Sequence, residues 1–271
     1  IKSFVDVRKY ILDNWHINLF VDYGLDRINM FKGTGYASAP AFYILDHNND
    51  NCDSIFFELN KNLQEKEKKA RFFLAYDRSC KNLPDNRTYR IKQEDLKGIK
   101  LFPFIYWISY NYRNKFSAYN LGKKADVVSG FKTGCNEVLL RFWWEVENNS
   151  KWAIYTKGGF YNKWYGNNWL KLNVEDDFFM LKTQNSYNIP RRYFENGLTY
   201  NGLGSKGLCF RFLEDNTLFD MGSSAVFGTH TYFLLGVLNS TLIKYSCNCL
   251  NPTVNVQPID VERLPFIDIC T

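Results

Sequence analysis

The sequence predicts an α+β fold, in which the edge of an α/β sheet precedes a mixed, β-rich domain with a C-terminal helix. Apolar residues near the start have helical spacing and are followed by two strand-like stretches. From Phe102 onward, short aromatic-rich segments alternate with Gly and Asn turns, which is typical of antiparallel strands. Near the end the helical spacing returns. With 271 residues, the chain is long enough for two domains, or one large one, with a buried core.

The N-terminal elements follow from hydrophobic spacing. Residues 4–15 carry apolar side chains at helical intervals, which indicates a helix that ends near Asn14. Residues 17–23 and 38–45 are predicted to form strands. Gly33-Thr34-Gly35 lies between them and is interpreted as a turn, because it matches neither phosphate-loop pattern and no helix signal follows it.

The middle of the chain combines a charged helix with short strands. The run over residues 61–73 favours a helix with a solvated face. A strand is predicted at 89–92, after a turn at Pro84. In the aromatic-rich part, strands are predicted over residues 139–144, 152–155 and 208–213.

The C-terminal part is predicted to be helical. Apolar residues at helical spacing over 231–242 indicate a helix. Asn251-Pro252 prevents its continuation, and Pro258 precedes a last helical turn.

Composition and charge narrow the class of protein. The chain is 45% hydrophobic and 23% charged, which excludes wholesale disorder, and its 18% of aromatic residues suit β-rich cores. Residues 97–171 contain twelve Lys and Arg against four Asp and Glu, a net charge of +8, whereas the whole chain carries +6. Such an asymmetry is expected of a surface that faces phosphates, although basic residues that merely solvate loops would also produce it.

Cysteine usage and hydropathy indicate a reduced, non-membrane protein. The seven cysteines have no regular spacing, and Cys247-x-Cys249 lacks a second pair at zinc-ligand spacing, so we expect no metal site. Reduced thiols favour a cytoplasmic location. The longest apolar run, residues 232–238, is too short to span a bilayer. Because the chain begins at Ile1 instead of Met, we expect it to be a piece of a longer protein.

Residues 151–168 carry the most informative composition. They contain three lysines, three glycines, three asparagines, two tryptophans and three tyrosines, and no acid. Lysine contacts phosphates, and asparagine can read a base edge with a donor and an acceptor. Glycine lets a backbone approach a ligand closely, and aromatic rings offer stacking faces. The stretch therefore predicts part of a nucleic-acid-binding surface.

Six ordered blocks across nearly the whole chain carry a resemblance to one family. They are residues 103–109, 130–141 followed by 143–146, 157–159 with 163–168, 196–201, 219–227, and 234–240 together with Leu264-Pro265. These blocks resemble the target-recognition region of large adenine-specific DNA methyltransferases of the PglX type, from BREX phage-defence systems, with type IIG restriction–modification enzymes as relatives.

The resemblance implies a division of the chain and of the activity. Residues 1–48 would be the C-terminal edge of the methyltransferase domain, 49–100 a helical linker segment, and 101–271 the DNA target-recognition domain. The family's glycine-rich S-adenosylmethionine loop and its Asn/Asp-Pro-Pro-Tyr/Phe catalytic motif have no counterpart here, since the chain has no Pro-Pro dipeptide. We therefore expect no catalytic residue and no cofactor site in this chain, which would be inactive alone, and S-adenosylmethionine as the cofactor of the parent enzyme.

The implied partner is double-stranded DNA, whose target adenine must rotate out of the stack before methylation. Lysines would set the register on phosphates, amide side chains would read base edges, and hydroxyl groups would add backbone or base contacts. The candidate DNA-binding residues are Lys132, Thr133, Asn136, Lys157, Gly158, Gly159, Tyr161, Lys163, Trp164, Tyr165, Asn167, Asn168, Thr199, Asn201, Ser205, Lys206, Ser223 and Ser224.

Several of these residues have structural alternatives. Trp164 and Tyr165 could pack under the loop, and Gly158-Gly159 could form a hairpin turn. Ser223-Ser224 could cap a helix, and Thr133 with Asn136 could stabilise a turn.

Two other functions compete with DNA recognition. The aromatic loops could instead grip another subunit, as a protein-interaction module of a multi-subunit defence complex. A self-sufficient hydrolase is disfavoured, because His16, His47 and His230 are scattered and no Gly-x-Ser-x-Gly elbow is present.

Overall fold

The computed structural model describes residues 4–24, 41–47, 52–59, 65–183, 192–251 and 253–266. The chain divides into two compact units, Ile1–Ser117 and Ala118–Thr271. The mixed α+β fold class is confirmed. The three segments expected from the family resemblance stay a prediction.

The first unit is built on a four-stranded mixed sheet with the order β2-β1-β3-β4. The pair β1–β3 is parallel, and the other two pairs are antiparallel. The elements of this unit are α1 (Val5–Asn14), β1 (His16–Asp22), β2 (Ala41–Asp46), β3 (Ser54–Glu58), α2 (Glu65–Cys80), β4 (Thr88–Ile91), α3 (Glu94–Lys97) and α4 (Tyr110–Ala118).

Buried polar side chains fix the corners of this unit. The Gln93 side chain accepts a hydrogen bond from the Ile17 amide at 2.8 Å and donates to the Trp15 carbonyl at 2.7 Å, so it holds the junction of α1 and β1. The Arg113 guanidinium is buried and donates to three backbone carbonyls and to Asp95. Each group replaces the water that its backbone partners lose on burial.

Most elements predicted for this unit are confirmed. The structure has α1, β1 and β4 at the predicted positions, and β2 overlaps the predicted second strand. The helix predicted from the charged run over 61–73 is α2, which extends on to Cys80. Gly33-Thr34-Gly35 lies outside the described residues. The strand β3 was missed because Ser-Ile-Phe-Phe-Glu is buried along almost its whole length and lacks the alternation that marks a half-exposed strand.

The second unit contains two four-stranded sheets, with the orders β10-β9-β12-β5 and β11-β7-β8-β6. The first is antiparallel throughout, as predicted, whereas β11 runs parallel to β7. The strands are β5 (Ala125–Val128), β6 (Leu140–Phe142), β7 (Trp152–Thr156), β8 (Leu170–Asn173), β9 (Gly197–Tyr200), β10 (Phe210–Leu213), β11 (Thr217–Phe219) and β12 (Ala225–Gly228). The helices are α5 (Asn136–Leu139), α6 (Glu175–Thr183), α7 (Thr231–Leu238), α8 (Thr241–Leu250) and α9 (Pro258–Glu262), with 3₁₀ turns at Leu121–Lys123 and Met221–Ser223.

The helix predicted over residues 231–242 is two helices. Here α7 ends at Leu238 and α8 begins at Thr241. Ser240 caps α8, since its hydroxyl accepts a hydrogen bond from the Ile243 amide at 3.3 Å. Asn239 is buried, and its side chain bonds to the backbone of β10. The prediction of one helix was wrong because both side chains compete with helix continuation.

Gly130 allows two chain segments to approach closely. It precedes Phe131, whose amide donates to the Phe219 carbonyl. A Cβ atom at position 130 would lie 2.2 Å from the Asp220 carbonyl oxygen and 2.4 Å from that of Phe219. Both obstacles are backbone atoms, so they cannot rotate away.

We therefore predict that Gly130→Ala destabilises the protein by about 3 kcal/mol, measured by chemical denaturation. The matched control is Gly236→Ala in α7, where an added Cβ meets nothing within 4 Å. We expect that control to be neutral or to stabilise by up to about 1 kcal/mol. Equal losses in the two variants would contradict the close-approach argument.

Candidate nucleic-acid interface

A long loop joins β7 to β8 and contains the motif singled out by composition. Residues 157–169 form this β7–β8 loop, and they separate two strands that pair antiparallel. Trp164, Gly166 and Asn167 have φ values of 77°, 119° and 67°, so the chain turns through left-handed positions there. Because the loop is long and folded on itself, Gly158-Gly159 does not form a simple hairpin turn.

The loop is attached to the edge of the neighbouring sheet. The Trp164 amide donates to the Phe210 carbonyl at 2.9 Å, and the Trp164 carbonyl accepts from the Phe212 amide at 2.8 Å. Trp164 thus pairs with Arg211 of the edge strand β10 as a one-residue parallel bridge. Its side chain is 52% exposed and that of Tyr165 58%, so neither ring packs under the loop.

Two buried asparagines hold the first half of the loop. The Asn201 amide nitrogen donates to the carbonyls of Gly159 at 2.7 Å and Phe160 at 3.1 Å. The Asn167 amide nitrogen also donates to the Phe160 carbonyl, at 3.0 Å. The Asn167 side-chain oxygen accepts from Asn162 at 2.9 Å. These bonds satisfy backbone groups that have no strand partner.

A third buried asparagine joins the loop, the sheet and the helices. The Asn239 side chain accepts from the Phe210 amide at 3.0 Å and donates to the Phe210 carbonyl at 2.9 Å. Its own carbonyl accepts from the Lys163 ammonium at 2.7 Å. Lys163 is therefore engaged within the protein.

Asp220 fixes the start of the loop. Its carboxylate accepts from the Gly222 amide at 2.7 Å and the Gly158 amide at 3.4 Å. Burial raises the pKa of Asp220, while these hydrogen bonds and the charge of Lys157 oppose the rise. A Cβ at Gly158 would lie 3.3 Å from the Gly222 carbonyl oxygen, so a glycine suits this approach.

A cation is buried where the loop meets β10. Arg211 forms the bridge with Trp164 and is fully buried. Its guanidinium donates to the Cys209 sulfur at 3.8 Å, while Nε and Nη2 have no hydrogen-bond partner within the described part of the chain. Burial lowers the pKa of Arg211. While it is protonated, this group adds to the positive potential at the loop.

The candidate residues divide by exposure. The exposed ones are Lys132, Asn136, Gly158, Gly159, Trp164, Tyr165, Ser205 and Lys206. The half-buried ones are Lys157, Tyr161, Lys163 and Asn168. The buried ones are Thr133, Asn167, Thr199, Asn201, Ser223 and Ser224.

The buried candidates support the surface instead of forming its outer layer. Thr199 donates to the Ser223 carbonyl at 3.0 Å, and Thr133 donates to Asn136, which agrees with the turn-stabilising alternative. Ser224 donates weakly to Met221, and the 3₁₀ turn there is capped by Asp220, so the serines do not cap a helix. In this conformation Asn167 and Asn201 cannot present their amides to a base edge, because the loop covers them and uses their donors.

Exposed aromatic side chains beside these residues were not among the candidates. Phe160 is 74% exposed, and its ring meets Trp169 edge to face at 6.0 Å. Trp143 and Trp144 are 57% and 59% exposed, and the Trp143 amide donates to the Trp169 carbonyl. In the sequence, these residues are indistinguishable from the many aromatic residues that fill the cores. The one feature of the sequence that could have indicated an exposed Phe160 is its position directly after Gly158-Gly159.

Two carboxylates of the first unit lie where an adenosine-type cofactor would bind to parallel strands. Asp22 and Glu58 end the parallel strands β1 and β3. Asp22 accepts from Tyr106 at 2.7 Å and from the Gly24 amide, and Glu58 accepts from Tyr89 at 3.1 Å. Both carboxylates therefore have hydrogen-bond partners within this unit.

Neither a metal-ligand cluster nor a membrane-spanning helix is found among the described residues. Among the described residues, no group of three or more His, Cys, Asp or Glu side chains is arranged to hold a metal ion. Likewise, in the part of the chain that the structure describes, no helix has the length and apolar character needed to cross a bilayer.

Comparison with known proteins assigns the fold to a class. No family model matches the chain. The type IIL restriction–modification enzyme MmeI, solved in complex with DNA, superposes with a TM-score of 0.50 over 97% of this chain and 36% of that one, at 9% identity. The fold is therefore shared with part of a restriction–modification enzyme.

Sequence comparison identifies the relatives. The adenine-specific methyltransferase BrxX of Escherichia coli O9:H4 (strain HS) is 30% identical over 98% of this chain. The adenine-specific methyltransferase PglX of Lacticaseibacillus casei (strain Zhang) is 27% identical over 78%. The chain is homologous to the BrxX and PglX adenine-specific methyltransferases, which confirms the family resemblance. It spans about a fifth of their length, since it covers 22% and 20% of them.

We predict that Asn239→Ala destabilises the protein by about 2–3 kcal/mol, because it leaves the buried amide and carbonyl of Phe210 without the Asn239 side chain. Amide hydrogen exchange at Phe210 should accelerate in the same variant. The matched control is Asn248→Ala, an exposed position on α8, which should change stability by less than about 0.5 kcal/mol. Unchanged exchange at Phe210 would refute the role of Asn239.

Proposed function

We propose that this chain is the DNA sequence-recognition part of an adenine-N6-specific DNA methyltransferase of a restriction–modification or BREX phage-defence system. It binds duplex DNA and presents a flipped adenine to a catalytic half located elsewhere in the longer protein. The observation that carries the proposal is the β7–β8 loop, whose lysine, amide and aromatic side chains stand on a backbone held by buried asparagines. The homology to adenine-specific methyltransferases supports it.

The chemistry of adenine methylation requires such a surface. The exocyclic nitrogen is stacked and paired inside a duplex, so the base must leave the helix before it can react. The flanking duplex must be held in register while that occurs. S-adenosylmethionine would be the methyl donor of the longer protein, and the residues of this chain would bind and orient DNA only.

Phosphate contacts are assigned to exposed cations. Lys132 and Lys206 are exposed, and Lys157 is half-buried beside the start of the loop. Lys163 is assigned a supporting role, because its ammonium is bonded to the Asn239 carbonyl. The buried Arg211 adds a charge that acts over distance without touching a phosphate.

Base contacts are assigned to the amides that remain accessible. Asn136 is exposed and Asn168 is half-buried at the end of the loop. A carboxamide can donate to and accept from an adenine edge at once, which gives sequence selectivity. The buried Asn167 and Asn201 are assigned to loop support.

The phosphate assignment predicts a defined loss in the variant Lys132→Ala/Lys157→Ala. Its affinity for every duplex should fall, and the slope of log affinity against log salt should decrease by about two, because each neutralised phosphate contributes about 0.9. Fluorescence anisotropy over a series of salt concentrations measures both quantities.

The matched control removes two exposed lysines of the first unit, in the variant Lys9→Ala/Lys69→Ala. It lowers the net charge equally and should leave the slope unchanged. A slope that falls as much in the control would mean that overall charge, and not these two positions, governs binding.

The base-edge assignment predicts a selective loss in Asn168→Ala. We expect a cost of about 1–3 kcal/mol on the preferred sequence, selected from a randomised duplex library, and little on random DNA. Asn248→Ala is the control for an exposed asparagine away from the loop. An equal loss on both kinds of DNA would indicate that Asn168 has a structural role.

A second candidate function is a protein-interaction module of a multi-subunit defence complex. The exposed pair Trp143 and Trp144 favours it, since Glu145 and Glu147 follow directly and would repel phosphates. Binding through such a surface would tolerate added salt far better than phosphate contacts do. The salt series therefore separates the two functions.

A further inference from the structure

Phe160 is an exposed residue on a backbone that buried side chains anchor. Its carbonyl accepts hydrogen bonds from two different side chains, Asn167 at 3.0 Å and Asn201 at 3.1 Å. Both asparagines are almost fully buried, at 2% and 6% exposure. The side chain that this fixed backbone carries is 74% exposed. An apolar ring is thus presented to solvent from a rigid support.

The surroundings of Phe160 direct its ring. Trp169 meets it edge to face, with 6.0 Å between centroids and 76° between planes. Before it, Gly158 and Gly159 are exposed and add no side-chain bulk. Contact with Trp169 limits the rotation of the ring, while the glycines leave open the space into which it projects.

Lys157 is the lysine of the loop that remains for contact with a polyanion beside Phe160. Of the three lysines in residues 151–168, Lys151 pairs with Glu175 at 2.6 Å and Lys163 donates to the Asn239 carbonyl at 2.7 Å. Lys157 lies three residues before Phe160, and the buried Arg211 underlies the attachment of the loop to β10. An exposed apolar ring on a loop that also carries a lysine matches the composition of proteins that insert a side chain between base pairs while binding the flanking phosphates.

We propose that Phe160 is an apolar wedge that enters the base stack of bound duplex DNA. This inference rests on the proposed function and adds to it the residue that separates neighbouring bases. Burying the ring between bases removes its apolar surface from water, which offsets part of the cost of unstacking. The anchored carbonyl means that little backbone freedom is lost when the ring inserts.

The test uses DNA in which the separation of bases has already been made. A duplex of mixed sequence with one central nucleotide lacking its base is compared with the intact duplex, and both dissociation constants are measured by fluorescence anisotropy with the full chain. A wedge fills the vacant position without unstacking a base. The unsubstituted protein should therefore bind the abasic duplex about tenfold more tightly than the intact one.

The variants assign that preference to one ring. Phe160→Ala should bind the two duplexes equally, and Phe160→Leu should retain part of the preference because it is still apolar. The matched control is Tyr232→Ala, which removes another aromatic side chain, 75% exposed on α7, and should keep the full preference. A preference that survives in Phe160→Ala, or that is lost in Tyr232→Ala, overturns the proposal.

The salt series keeps the two proposals distinguishable. If the unsubstituted protein binds both duplexes equally but with a steep salt dependence, the wedge is overturned and duplex recognition stands. If it binds neither duplex, or binds without salt dependence, the proposed function fails and the wedge fails with it.

Discussion

The structure of the second unit depends on how the backbone of one long loop is satisfied. The β7–β8 loop leaves the ladder between its two strands, so its amides and carbonyls need partners elsewhere. Asn167 and Asn201 provide donors to the loop, and Asn239 joins Phe210 to the α7–α8 junction. A carboxamide is suited to this because it offers a donor and an acceptor on one planar group.

In this loop, one set of side chains holds the backbone and a different set is exposed to solvent. The amides beneath the loop are consumed by internal hydrogen bonds, whereas Phe160, Trp164 and Tyr165 project outward from the same backbone. A surface built this way is preorganised, so binding costs less conformational entropy than ordering a flexible loop would. Asn167 and Asn201, which the sequence offered as base-reading residues, instead support the backbone of the loop.

The two units differ in what their buried polar groups achieve. In the first unit, Gln93 and Arg113 bond to backbone carbonyls at corners, and Asp22 and Glu58 are bonded by tyrosines. These groups are hydrogen-bonded within the first unit. In the second unit, the buried Asn167 and Asn201 instead hold the backbone of the β7–β8 loop, which carries exposed aromatic side chains. The candidate site lies on this loop.

The sequence by itself determined the fold class, fewer than half of the described helices and strands, the family, and the stretch where basic, amide and aromatic residues concentrate. The fold class, these elements and the concentrated stretch depend on local periodicity and composition, which a single chain displays directly. The family was indicated by the resemblance of six ordered blocks of residues. Only the tertiary structure decided that Asn167, Asn201 and Ser223 are buried, that Lys163 is engaged by Asn239, and that Phe160 is exposed. Burial and hydrogen-bond partners arise from contacts between residues far apart in sequence. Asn167 is therefore buried and bonded inside the loop, whereas its neighbour Asn168 is only half-buried.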